Sequence, residues 1–268
     1  MSKKQFRSKK EISKPSQANK KKRVIPTWPP LIIRLFLFLI LNGNFLGIVY
    51  SQYKVYGSCG LWVGLNVWNL CLVFGGFGIL LKSSLLTLTG ALFEFFPTVF
   101  FFIEIGGVFG SNSSLLGILP PNLLSSKEIL ISAIVLNSHH IWTLFLFLIS
   151  VTWSRSVKFV HYLFASFVAV ALTIFSRFYT PLTCEVKPGV TKYLNINMSH
   201  EFSKYIKYKQ AHRFDDETPV IYLTYLLCAY VFVFLLFSFL SLKSLVIFGT
   251  QSVIKQKSTK PSTDKKKK

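Results

Sequence analysis

The sequence predicts an all-α, polytopic transmembrane helical bundle with about six membrane spans. Hydrophobic residues make up 51% of the 268-residue chain and charged residues only 15%. The charged residues crowd into the two ends and one late segment. The stretches between them are apolar on every face for about 20 residues, enough for a helix to cross a hydrocarbon core of about 30 Å. Strands of a membrane barrel would alternate apolar and polar residues, which these stretches do not.

Both ends of the chain are strongly basic. Of the 31 Lys and Arg residues, 11 lie in residues 1–34 and eight lie from Lys243 onward, and the net charge is +21. Residues 1–30 and 249–268 are too polar to bury a core, so we predict disordered basic tails on the cytoplasmic side. Such tails bind anionic lipids, which makes the lipid bilayer the expected partner. Nucleic acid is not expected, because the tails lack a stacking platform of interleaved aromatic residues. No protein partner can be identified.

The first three apolar runs cover residues 31–50, 61–81 and 85–109. We expect the first to be an uncleaved anchor, with a cleaved signal peptide as the alternative, because its basic leader is long and no small-residue cleavage site follows. Arg34 is expected to extend toward the interface. Glycines at positions 64, 75, 76 and 78 of the second run predict close approach of another helix. Pro97 predicts a kink in the third.

The other three runs cover residues 129–153, 157–178 and 219–248, and residues 179–218 form a predicted extracytoplasmic loop. Six spans put both ends on one side, with 22 of the 31 basic residues there and nine on the other. The positive-inside rule therefore favours cytoplasmic ends. We expect the bacterial cytoplasmic (inner) membrane. The alternative is the endoplasmic reticulum membrane of a eukaryote, which would suit the four terminal lysines.

Three ionisable residues are predicted near the middle of the bilayer. Glu94 lies about ten residues into the third run, and His139 and His140 lie about eleven residues into the fourth. Adjacent antiparallel helices would place Glu94 against one of the two histidines, and such a pair relays protons, binds a cation or acts as acid and base. The alternative is a packing hydrogen bond that fixes helix register. We expect no metal site and no cofactor, because a metal needs more ligands than are evident.

The four cysteines lack the CxxC spacing of metal and redox motifs. Cys59 and Cys184 both fall on the predicted outer side, where oxidation occurs. A Cys59–Cys184 disulfide is therefore a hypothesis, while Cys71 and Cys228 are expected to be buried in apolar runs as small hydrophobic side chains.

Several short motifs carry a resemblance. They are Phe101-Phe-Ile-Glu-Ile-Gly106, His139-His140, Ser176-Arg-Phe-Tyr-Thr-Pro181 and Asn195-Ile-Asn197. Their order over roughly residues 60–245 resembles a family of uncharacterised bacterial multi-pass integral membrane proteins. The resemblance implies a cluster of Glu104, His140, Asn195 and Asn197, but it supplies no activity. Two positions depart from the family pattern: Glu104 stands where the family has Asp, and Met198 stands where it has an aromatic residue.

Three classes of function remain open. A structural or scaffold membrane protein is the default, because the chain has no nucleotide-binding loop, metal signature or nucleophile constellation. An enzyme is therefore not favoured. The first alternative is a small transporter or channel that uses Glu94, His139 and His140. The second is a membrane enzyme acting on lipid at the outer face, with Glu104 and His140 as catalytic candidates and the loop of Asn195 and Asn197 as binding residues.

Overall fold

The computed structural model describes residues 28–111, 127–154, 156–201, 213, 215 and 217–258. The predicted tail at residues 1–30 lies outside this part except for residues 28–30, and so do the last ten residues of the predicted C-terminal tail. The described chain is mostly helical.

Seven α-helices and one hairpin make up the regular structure of the described residues. The helices are α1 (Leu31–Tyr56), α2 (Val67–Leu80), α3 (Ser84–Ser111), α4 (Lys127–Ile149), α5 (Phe159–Tyr179), α6 (Pro219–Cys228) and α7 (Leu236–Ser258). A 3₁₀ segment, Gly57–Leu65, precedes α2, and π-helical segments follow α4 (Ser150–Ser154) and join α6 to α7 (Ala229–Leu235). Strands β1 (Thr183–Lys187) and β2 (Val190–Tyr193) pair antiparallel.

Four described helices are long and apolar enough to cross a membrane. They are Leu31–Lys54, Ser84–Val108, Phe159–Tyr179 and Pro219–Phe248. The 3₁₀ segment and α2 together pass the same test but are bent by 62°, so they form a broken span or a re-entrant loop. The predicted helical membrane architecture is therefore present with four candidate spans, or five if the bent pair is counted.

The predicted second span is not one straight helix. The chain breaks at Asn66, which has an extended backbone and whose side-chain oxygen accepts a hydrogen bond from the Trp68 N–H at 3.1 Å. This is the geometry of a helix N-cap, which starts a new helix in a new direction. As a result α2 has only 14 residues, about 21 Å of helix.

Two predicted helix ends were wrong. Helix α1 continues beyond residue 50 to Tyr56 and stops at Gly57, whose φ of 61° is readily adopted only by glycine. Helix α7 continues to Ser258, so residues 249–258 are helical and do not belong to a disordered tail. No proline interrupts this stretch, and its Gln and Lys residues are good helix formers.

The bundle is largely apolar outside and buries two acidic side chains inside. Helix α3 is the central helix. In its apolar stretch 56% is buried inside the bundle, against 17% in that of α1. It also contacts four other helices, α2, α4, α5 and α7. Large exposed side chains on the outer helices include Phe36, Leu39, Leu148, Phe167 and Phe232. Glu94 and Glu104 are fully buried. A water-soluble protein shows the reverse pattern, whereas lipid favours this one.

Glycines bring helix backbones into close contact, as predicted. A Cβ atom on Gly78 would lie 2.4 Å from the backbone N of Thr87, and one on Gly76 would lie 2.2 Å from the side-chain N of Asn42. Gly90 of α3 meets α2 in the same way, because its Cβ would lie 2.6 Å from the carbonyl oxygen of Cys71. The contact between α2 and α3 therefore requires glycine on both helices.

Arg34 lies at the end of the bundle where α1 begins and α2 ends. Its side chain is buried and donates hydrogen bonds to the carbonyl oxygens of Leu80, at the end of α2, and of Pro29 at 3.2 Å. The guanidinium therefore caps α2 and holds its last turn beside the start of α1. Trp28 packs on Trp153 at 5.9 Å between ring centroids, which brings the end of α4 to the same end of the bundle.

At the opposite end lies the cap, defined here as residues 180–201. Its hairpin turns at Pro188-Gly189, where Gly189 has a φ of 76°. A disulfide joins Cys184 of β1 to Cys59 of the 3₁₀ segment, with Cα atoms 6.3 Å apart. The hydroxyl of Tyr222 in α6 donates to the Met198 carbonyl at 2.5 Å. The cap is thus attached to the α1–α2 connection and to α6.

Candidate functional site

The candidate site is the Glu–His centre, formed by Glu94 of α3 and by His139 and His140 of α4. Nε2 of His139 lies 3.5 Å from Oε1 of Glu94, and Nδ1 of His140 contacts the same oxygen. Glu94 is 0% exposed, and the histidines are 7% and 6% exposed. All three side chains therefore lie inside the bundle. Antiparallel packing of α3 on α4 is what brings them to one depth.

Both histidines reach the same carboxylate, whereas the sequence predicted that only one would. Neighbouring residues on a helix point about 100° apart, so Glu94 must lie between the two directions. The imidazole centroids are 4.0 Å apart, and the ring of His140 also stacks on Phe101 at 4.4 Å. The Thr143 hydroxyl donates to the His139 carbonyl at 2.8 Å. Packing thus restrains both rings.

Polar groups from two further elements lie in the same part of the bundle as the centre. The Cys71 thiol of α2 lies 3.8 Å from the Thr143 hydroxyl. Cys71 and Tyr230, in the π segment between α6 and α7, are both close enough to Glu94 to interact with it electrostatically. Sequence reasoning treated Cys71 as a small hydrophobic side chain and did not find Tyr230, because each stands in an apolar run with no local signal. Cys228, which lies two residues before Tyr230, was expected to be buried but is exposed.

A narrow cavity of about 10 Å³ lies between the cap and this region. It is lined by Val67, Trp68, Thr173, Asn197, Met198, Leu226 and Tyr230. A water molecule needs about 10–15 Å³, so the space is about the size of one water. The cavity joins the cap, at Asn197 and Met198, to Tyr230 beside the centre.

The three side chains also form a group that can hold a metal ion. Each offers one ligand atom, and these atoms all lie within 4.8 Å of one another. No metal site was expected from the sequence, because a metal needs more ligands than were evident there; the fold brings three candidate ligands together.

Asn197 connects three segments of the chain. Its side-chain oxygen accepts from the Val67 N–H at 2.8 Å, and its amide nitrogen donates to the Leu65 carbonyl at 3.1 Å and the Ser176 hydroxyl at 2.9 Å. Three of the four hydrogen-bonding directions of this buried amide are therefore used to hold the cap against the 3₁₀ segment, α2 and α5. Asn197, a predicted binding residue, has the contacts of a structural one.

Asn195 is engaged within the cap itself. Its amide nitrogen donates to the Tyr193 hydroxyl and to the Glu201 carbonyl, both at 2.7 Å, and its oxygen accepts from the His200 N–H at 3.1 Å. With φ values of 36° and 55°, Asn195 and Asn197 adopt the left-handed region that Asn tolerates better than most residues. These contacts explain why Asn stands at both positions.

Glu104, a predicted catalytic candidate, is fully buried and takes part in a polar or electrostatic contact within the bundle. It lies ten residues beyond Glu94, about 15 Å further along α3. His140, which the family resemblance grouped with Glu104, touches Glu94. The acid that the structure brings to the histidines is therefore Glu94.

His200 links the cap to the end of α5. Its Nε2 donates to the Thr180 carbonyl at 2.7 Å, and its Nδ1 lies 3.1 Å from a guanidinium nitrogen of Arg177. Nδ1 must accept from Arg177, so the neutral ring fits this geometry. Partial burial is the largest cause and lowers the pKa of His200, and the Arg177 charge lowers it further; the hydrogen bond to the Thr180 carbonyl and the Glu201 charge oppose this without reversing it.

We predict that the cap is stable above about pH 6.5, the ordinary pKa of histidine, and loosens as the pH falls below it. The sign follows because the unfolded His200 binds a proton before the folded one does. Thermal unfolding of the purified protein at a series of pH values measures the effect. The variant His200→Gln keeps a donor for Thr180 but does not titrate, and a pH profile identical to wild type in that variant would refute the prediction.

Comparison with known proteins does not indicate a family for this chain. No family model, curated protein or solved structure matches the chain. Its function must therefore be inferred from the site.

Proposed function

We propose that the chain is a six-span membrane protein that moves a cation across the bilayer through the Glu–His centre. The observation that carries this proposal is the burial of one carboxylate against two imidazoles in the interior of an apolar bundle. Ionisable groups at this depth cost about 2.5–3.5 kcal/mol each on insertion scales, and in membrane proteins they mark ion and proton pathways.

Six spans agree with the dimensions of the helices. Four candidate spans and the bent pair account for five. Helix α4 supplies the sixth, because its 23 residues extend about 35 Å, more than a hydrocarbon core of about 30 Å. An even number of spans keeps both basic ends on one side, in agreement with the distribution of Lys and Arg.

Two local irregularities next to the centre suit a moving part. Pro97 lies one turn beyond Glu94 in α3, where it removes a backbone hydrogen bond from the helix. Tyr230 lies in a π-helical segment, a form that occurs often at functional sites. A small change of the backbone at either place would shift the side chain of Glu94 or of Tyr230.

The proposal is tested by cation flux into lipid vesicles that contain the purified full-length protein. A potassium gradient with valinomycin drives cations inward, and internal dyes report protons in one set of vesicles and Zn²⁺ in another. We expect flux of at least one of these cations above that of protein-free vesicles. Glu94→Gln removes the charge that compensates the cation and should reduce the flux at least about tenfold.

The matched control is Glu185→Gln, the same change on an exposed acid of the cap hairpin, which should keep wild-type flux. Gel filtration and thermal unfolding identify variants that fail to fold, and His140→Gln is a second variant for that case. Folded wild-type protein with no flux of either cation would overturn the transport function. A purely structural contact predicts that result, with Glu94→Gln altering stability alone.

A further inference from the structure

We infer that the Glu–His centre binds one divalent transition-metal cation of the zinc class, with Glu94, His139 and His140 as protein ligands. This inference rests on the proposed function and deepens it, because it names the cation that the centre takes. Four observations carry it: the ligand spacing, the buried carboxylate oxygen of Glu94 that has no partner among the described residues, the chemistry of the donor set and the packing around it.

One spacing in the centre matches that of a tetrahedral site. Zinc binds imidazole nitrogen and carboxylate oxygen at about 2.0–2.2 Å, which puts neighbouring ligand atoms roughly 3.4 Å apart. Nε2 of His139 and Oε1 of Glu94 are 3.5 Å apart, and all three ligand atoms fall within 4.8 Å of one another. Nδ1 of His140 contacts Oε1 directly, so the side chains of His140 and Glu94 must rotate apart to admit the metal.

One carboxylate oxygen of the centre lacks a partner among the described residues. Oε1 of Glu94 is contacted by both imidazoles, whereas Oε2 is fully buried without a hydrogen bond from the described residues. A buried carboxylate without compensation is strongly unfavourable, and buried charges are normally paired or bound to a metal. A cation held between the three side chains would compensate the whole carboxylate.

The donor set selects the class of metal. Two imidazoles with one carboxylate are typical of zinc and of neighbouring first-row metals, whereas Mg²⁺ and Ca²⁺ prefer oxygen ligands alone. Three protein ligands leave a fourth position open, and the polar groups of Cys71 and Tyr230 lie on this part of the bundle. An exchangeable fourth position suits a cation that must enter and leave.

Packing orients the ligands. The His140 ring stacks on Phe101 on one side and lies 4.0 Å from the His139 ring, between centroids. Restraint of this kind reduces the entropy lost when a metal is bound.

The test is metal binding by the purified full-length protein in detergent. The protein is stripped with a chelator, dialysed against Zn²⁺ with excess Mg²⁺, and its zinc content per chain is measured by elemental mass spectrometry. We expect one zinc per wild-type chain and, with Co²⁺ in its place, visible absorption bands of a four-coordinate site. Glu94→Gln and His140→Gln should each weaken zinc binding by roughly 100-fold or more, as measured against a chromophoric chelator.

The control is His200→Gln, which removes a histidine outside the centre and should bind zinc like wild type. Zinc should also raise the unfolding temperature of wild type but not that of Glu94→Gln, provided that both metal-free proteins elute and unfold alike. Absence of bound zinc, or equal binding by the double variant Glu94→Gln, His140→Gln, would overturn the inference. Proton flux without zinc binding would overturn only the metal site, and zinc binding without flux would overturn only transport.

Discussion

Gly90→Ala is expected to lower the free energy of unfolding by about 3 kcal/mol. This is the upper end of the roughly 1–3 kcal/mol that extra atoms cost in a well-packed core. The new Cβ would lie 2.6 Å from the carbonyl oxygen of Cys71 and 3.0 Å from the backbone N of Gly75. Backbone atoms cannot rotate away, so α2 and α3 must separate. Glu94 lies one turn further along α3, and the displacement should therefore reach the Glu–His centre as well.

The measurement is a denaturant titration in mixed detergent micelles. The matched control is Gly106→Ala on the same helix, where an added Cβ meets nothing within 4 Å and the residue is exposed. This control should be neutral or slightly stabilising, because Ala favours a helix more than Gly does. Equal stability of the two variants would show that the close contact at Gly90 is not needed.

Asn197→Ala is expected to cost roughly 3–5 kcal/mol, since it leaves three buried or partly buried partners without a hydrogen bond at about 1–3 kcal/mol each. The partners are the Val67 N–H, the Leu65 carbonyl and the Ser176 hydroxyl. They belong to α2, the 3₁₀ segment and α5, so the cap should detach from the bundle. The same titration measures the loss.

Asn195→Ala provides the comparison. Asn195 makes as many hydrogen bonds as Asn197 and also has a positive φ, so both variants carry the same backbone penalty for alanine. Its partners all lie between Tyr193 and Glu201, within the cap. The smaller loss should follow from Asn195→Ala, and an equal or larger one would mean that Asn197 does not anchor the cap.

The contacts of Asn195 and Asn197 argue against the alternative of a membrane enzyme that acts on lipid at the outer face. That alternative needed their amides for substrate, and the hydrogen bonds described above use them for the structure of the cap. The Glu–His centre, inside the bundle, favours transport.

The class of the protein and the approximate places of its helices were readable from the sequence by itself, for a local physical reason. A lipid-facing helix must be apolar over about 20 residues whatever its neighbours are. The depth of a residue in the bilayer can likewise be estimated by counting residues along its helix. For this reason Glu94 was expected opposite a histidine of the neighbouring antiparallel helix.

Only the tertiary structure decided which groups meet. It brought the second histidine to Glu94, bent the second span at Asn66 and gave Asn197 its three partners. Val67 and Asn197 are 130 residues apart, and no local pattern encodes such a contact. The rotation and tilt of each helix depend on close packing at residues such as Gly90. A single added side-chain atom there would change which faces of α2 and α3 are in contact.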